Sequence, residues 1–146
     1  MRCLEPVEAE APPIAAAYDL RIPMGLLGFE QFKDYALIAK PDEEPFRWLQ
    51  VKGDTSLAFV VVDPFMAHPD YHPDIPQQDV EFLELTEPED AVLFNIVTLH
   101  GASNATVNLK GPIVVNRHTG IAKQVIIANA SEYSVQHPLP LAEVAA

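Results

Sequence analysis

Cysteine is nearly absent: Cys3 is the only one in 146 residues. No disulfide can form within the chain, in keeping with a reducing compartment. Glycine is scarce, with 6 residues. There is neither a Gly-x-Gly-x-x-Gly fingerprint nor a Walker A sequence, and Gly25 and Gly28 are too few to cradle a phosphate. No serine sits in a Gly-x-Ser-x-Gly elbow, and Cys3 stands alone near the start of the chain, so no nucleophilic triad can be nominated. No apolar run approaches the ~20 residues that a membrane-spanning helix needs. The start carries Pro6, Glu5, Glu8 and Glu10 where a secretory signal has a positive charge followed by an apolar stretch. A cytoplasmic protein is expected. Basic residues are also few, 9 against 21 acidic ones, for a formal net charge of −12. Binding a nucleic-acid backbone depends on Lys and Arg displacing condensed counterions, so direct nucleic-acid binding is disfavoured. A basic protein is the better electrostatic partner, because complementary fields speed encounter.

Proline is abundant, at 14 residues, within a chain that is 49% hydrophobic. Prolines remove backbone donors and restrict the residues before them, which leaves helices little room. Residues 1–13 are rich in Glu, Pro and Ala without periodicity and read as a mobile tail, as do residues 140–146. The intervening 14–139 suit one domain around one core. Short β-branched and aromatic runs recur there between Gly, Pro, Asp and Asn clusters. They predict an all-β fold, a small antiparallel β-barrel-like domain. The strand candidates are 18–22, 35–39, 46–51, 57–62, 80–85, 91–99, 105–109, 113–116 and 121–128. The run Leu57 to Val62 does not alternate, which places it centrally with both faces covered. Hairpin turns are expected at Glu87–Asp90 and at Arg117–Gly120, where Gly120 can take a positive φ. The proline-rich stretch from Asp63 to Gln78 is too long for a tight turn. It should form an ordered excursion over one end of the barrel, where binding residues are often carried.

Within that excursion, His68-Pro69-Asp70-Tyr71-His72-Pro73-Asp74 imitates a metal site. Each histidine precedes a proline and is pushed towards extended geometry, and extended residues four apart lie about 13 Å from one another. That is too far to share a zinc ion with ligands at ~2.0 Å. No metal or other cofactor is therefore expected, although a metal-binding or enzymatic barrel using His68 and His72 stays as the alternative. Aromatic residues beside charged segments are candidate interface anchors. In Phe46-Arg47-Trp48-Leu49-Gln50, strand alternation puts Phe46, Trp48 and Gln50 on one face.

Several phrases in sequence order resemble the flagellar assembly factor FliW family. They are Ile22-Pro23-Met24-Gly25-Leu26-Leu27-Gly28-Phe29-Glu30, Pro45-Phe46-Arg47-Trp48-Leu49-Gln50, Ala58 to Phe65, Pro69-Asp70-Tyr71, Thr106 to Asn116, Ala122 to Ile127 and Tyr133 to Leu139. The most specific is Asn108-Leu109-Lys110-Gly111-Pro112-Ile113-Val114-Val115-Asn116. Gln136 departs from the pattern, since the family often has an arginine there. The resemblance implies a non-enzymatic β-barrel that binds flagellin and also binds the carbon storage regulator CsrA, a small basic translational repressor, with the two partners competing. The contact residues expected on this basis are Asp63, Asp70, Tyr71, Asp74 and Asp79 in and beside the excursion, then Phe46, Trp48 and Gln50. A monomer is expected, because an evenly acidic surface repels copies of itself.

Overall fold

A computed structural model describes residues 16–54, 56–101 and 104–140. The tail expected over residues 1–13 lies outside them, and so does the tail from residue 141; Pro140 belongs to the last strand. Among the described residues the strands are β1 (Ala16–Arg21), β2 (Asp34–Ala39), β3 (Arg47–Val51), β4 (Ala58–Val62), β5 (Ala91–Leu99), β6 (Asn104–Val107), β7 (Ile113–Asn116), β8 (Ala122–Gln124) and β9 (His137–Pro140). Two short helices, α1 (Pro64–Ala67) and α2 (Gln77–Phe82), sit between β4 and β5. All named strand pairings are antiparallel, in the order β1-β2-β3-β4-β5-β6-β9, and β7 and β8 branch from β5.

The fork at β5 follows from its length. Its first half, Ala91 to Phe94, pairs with β7, and its last residues, Val97 to Leu99, pair with β6. The switch is made by the phrase that resembles FliW most specifically. Asn108 folds its own turn, its side-chain oxygen accepting the N–H groups of Lys110 and Gly111, while its carbonyl accepts from the buried Asn95 of β5 at 2.8 Å. A buried amide earns its place when it is hydrogen-bonded at such a bend. Pro112 then accepts from Val125, starting the pairing of β7 with β8.

The sheet does not close. Among the described residues, the end of β1 meets the residue just before β8 at an isolated parallel bridge, Arg21 to Ile121, where the Arg21 N–H donates to the Gly120 carbonyl. Beyond that bridge the loop after β1 turns over the β8 edge, and the Leu27 N–H donates to the Gln124 side chain at 2.9 Å. That loop turns sharply at Gly25, φ +70°, where a Cβ would lie 2.5 Å from the Glu30 Cα.

Apolar side chains pack in two clusters. One contains Leu20, Ile22, Tyr35, Leu49, Val61 and Ile113; the other contains Val62, Tyr71, Leu83, Leu93, Val107 and Leu139. β4 contributes to both: Val61 joins the first, while Val60 and Val62 face the second. This accounts for its unbroken apolar run and its place between β3 and β5, as its sequence predicts.

Three expectations need correction. Residues 80–85 are not a strand: Gln77–Phe82 is helical, because Val80 and Leu83, three apart, turn towards the core while Glu81 and Phe82 face solvent. The helix ends with Leu85 N–H donating to Val80 and with Glu84 in the left-handed region at φ 58°. Glu87–Asp90 is accordingly not a hairpin. It is a 3-10 turn at Pro88–Asp90 that leads from the helix into β5, its ends held by a capping box between Glu87 and Asp90. Residues 137–140, not expected as a strand, form β9. The hairpin at Arg117–Gly120 is present, with Gly120 at φ +76° and its N–H donating to Asn116.

β9 is built with two prolines. It pairs with β6 through Val107–His137, Thr106–Pro138, Ala105–Leu139 and Asn104–Pro140. Alternation sends the N–H groups of His137 and Leu139 to one edge and leaves none at the other.

Candidate protein-interaction surface

The excursion from Asp63 to Gln78 is ordered by its own residue types. Asp63 caps α1 by accepting the Phe65 N–H at 2.9 Å, and Pro64 occupies the first helical position, where no donor is needed. Beyond α1 the chain is stitched to residues 128–133. His72 N–H donates to the Tyr133 hydroxyl at 3.0 Å, and Asp74 N–H donates to the Asn129 side chain at 2.8 Å. Asn129 returns a bond to the His72 carbonyl, and Ala128 N–H donates to Asp74.

Tyr71 is the pin of this arrangement. It is buried, its hydroxyl donates to the Leu109 carbonyl at 2.7 Å, and its ring meets Tyr133 edge-on at 4.8 Å and Phe65 at 5.9 Å. Burial pushes its hydroxyl well above the ordinary phenol range. Asp79 is buried as well, in an ion pair with Lys123 that ties α2 to β8. The sequence-predicted contact residues thus separate into two kinds. Asp63, Tyr71 and Asp79 carry internal interactions, whereas Asp70 and Asp74 are exposed.

Phe46, Trp48 and Gln50 are half-buried. Phe46 packs on the cluster that contains Tyr71, and Trp48 pairs with Val60, which packs on it too, so this group shares its sheet face with the excursion. The Trp48 indole donates to Glu43 at 2.7 Å, and the Gln50 amide donates to the carbonyls of Asp54 and Leu57. These polar groups are used by the connections on either side of β3.

The histidines of the excursion lie in aromatic surroundings. The His68 ring is 5.5 Å from Tyr133 and 5.3 Å from His137, while His72 Nδ1 is 2.9 Å from the Asp70 carbonyl. Among the described residues, no three His, Cys, Asp or Glu side chains are grouped to hold a metal ion. No helix among them is long and apolar enough to cross a membrane.

Charge is where the surface is distinctive. Three basic side chains are engaged internally: Arg21 with Asp34 at 3.4 Å, Lys52 with Asp19 at 2.8 Å, and Lys123 with Asp79. From Asp70 to Asp90 the sequence contains no Lys or Arg, and Asp70, Asp74, Glu81, Glu84, Glu87 and Glu89 are all exposed. Asp90 ends the run; N–H donors from Glu87 and Thr86, the Thr86 hydroxyl and His118 hold its carboxyl well below the usual range. Glu81 and Glu84 fall in the stretch expected as a strand, and Glu87 and Glu89 in or beside the expected hairpin turn, so the expected elements do not mark them as one surface. The signal was present as a charge run without a single cation.

Comparison with known proteins agrees with the fold. The family model described as FliW protein matches residues 5–139. The flagellar assembly factor FliW of Leptospira biflexa is 41% identical over 109 residues, covering 73% of this chain and 71% of its own length. That of Treponema denticola is 39% identical over 121 residues, covering 82% and 80%. A crystal structure of the flagellar assembly factor FliW superposes with a TM-score of 0.73 at 34% identity, covering 82% of this chain and 83% of the other. With a family match over residues 5–139 and a shared overall fold, this chain belongs to the FliW family.

Proposed function

We propose that the chain is a non-enzymatic flagellar assembly factor of the bacterial cytoplasm that binds flagellin and the basic translational repressor CsrA in competition. The observation that carries this is family membership, from relatives named flagellar assembly factors. The exposed acidic residues from Asp70 to Glu89, a segment without Lys or Arg, support a basic partner. Flagellin that accumulates occupies the factor. Its secretion frees the factor to bind CsrA and lift repression of flagellin translation, so that supply follows demand. Two ligands that exclude one another must do so reciprocally: if CsrA weakens flagellin binding by some factor, flagellin weakens CsrA binding by the same factor.

Asp70 and Asp74 are the contact carboxylates to test, being exposed; Phe46, Trp48 and Gln50 form the second group. Titration calorimetry against CsrA and flagellin from the same bacterium, at low and physiological salt, tests the proposal. Saturable binding of both, mutual competition, and a steeper salt dependence for CsrA are expected. Asp70→Lys with Asp74→Lys should weaken CsrA binding and flatten that dependence while leaving the unfolding midpoint nearly unchanged, because exposed charges add little to stability. Absence of binding to either partner overturns it.

A further inference from the structure

The outward face of α2 carries a partly exposed aromatic ring. Phe82 is 42% exposed although Val80 and Leu83, beside it in the helix, turn inward. The other exposed residues of the helix are Gln77, Gln78 and Glu81, and the exposed residues that follow include Glu84, Glu87 and Glu89. One cation already visits this ring from within the protein: Lys123 Nζ lies 5.5 Å from the Phe82 centroid while paired with Asp79. The ring therefore presents a π-face to an ammonium group, and the segment that carries it is rich in exposed glutamates and has no Lys or Arg of its own.

We infer that this face is a docking surface for a basic protein segment, with an arginine or lysine stacking on Phe82 and its neighbours meeting the glutamates. Charge complementarity selects the occupant. An apolar or acidic partner would have to displace water from exposed carboxylates, whereas a guanidinium gains from the ring and the carboxylates at once. Aromatic residues at the centre of a charged rim are frequent anchors of binding energy. The inference rests on the function proposed above and adds to it residues outside the Asp63–Gln78 excursion.

The test uses the full chain and purified CsrA as the basic probe. Phe82→Ala should weaken binding about tenfold, and Phe82→Tyr, which keeps the ring, should restore it. Glu81→Gln combined with Glu84→Gln and Glu89→Gln should reduce the slope of affinity against salt. All of these positions are exposed, so unfolding midpoints serve as the control for an intact fold. If the wild type binds CsrA and the variants bind it with the same affinity and salt slope, this surface is refuted while the proposed function stands. A wild-type chain that binds neither CsrA nor flagellin removes the proposed function and this surface together.

Discussion

Removing Lys123 should destabilise the protein far more than its partial exposure suggests. Its partner Asp79 has a side chain only 5% exposed, against 25% for Lys123. Taking away the cation strands a carboxylate that cannot reach water, and breaking a buried pair in this way costs about 3–5 kcal/mol. The remaining exposure of Lys123 admits some solvent screening, so Lys123→Met should fall at the lower end, ~3 kcal/mol. The lost approach to the Phe82 ring adds ~0.5 kcal/mol. Asp79→Asn leaves a lysine able to reach solvent and should cost about 1–2 kcal/mol. The pair Asp79→Leu and Lys123→Met should return to within about 1 kcal/mol of wild type, since a well-packed apolar pair often replaces a buried ion pair without loss. The measurement is urea unfolding followed by the fluorescence of Trp48, the only tryptophan, with the slope against urea checked for constancy. Equal costs below ~1 kcal/mol for the two single variants would refute the reasoning. They would mean that α2 is held to β8 by its apolar side alone.

Burial raises the hydroxyls of Tyr35 and Tyr71 above their ordinary value. The native state keeps these protons where the unfolded chain releases them, so their contribution is complete below pH ~10 and is lost as pH rises above it. A urea midpoint that holds steady between pH 9 and 11, in roughly that window, would contradict this. Glu84 occupies a left-handed position at the end of α2, where glycine pays no Cβ penalty. Glu84→Gly should raise stability by about 0.5–1 kcal/mol in thermal unfolding; a loss would show that its side chain holds the turn. Gly25→Ala should cost about 2 kcal/mol or more, through its positive φ and the contact with the Glu30 backbone. Gly53→Ala has a similar φ but no atom within 4 Å of the added Cβ, and should cost only ~1 kcal/mol. Equal losses in chemical denaturation would show that the clash relaxes.

Strands whose apolar residues follow a clear pattern were legible. The unbroken run Leu57 to Val62 foretold a strand between two cores, and Asn116 with Gly120 foretold the β7–β8 turn. Two kinds of element were not. Residues 80–85 contain β-branched and aromatic side chains suited to a strand, yet the helix wins because Leu83 is buried, Val80 packs against the same cluster, and Asp79 reaches Lys123, 44 positions away. β9 was hidden by Pro138 and Pro140, which argue against a central strand and are tolerated at an edge. At the surface, an acidic loop marked the region, but sequence could not separate Asp70, which faces solvent, from Asp79, which does not. That difference depends on a strand far along the chain.

The two prolines of β9 have a consequence for how this protein can meet others. A strand whose outer side offers no N–H cannot recruit a neighbouring backbone by pairing, so this margin of the sheet is closed to the least selective form of association, one strand adding to another. Whatever approaches there must be recognised by side chains, whose identity the sequence controls, and not by the repeating amide pattern that every polypeptide shares.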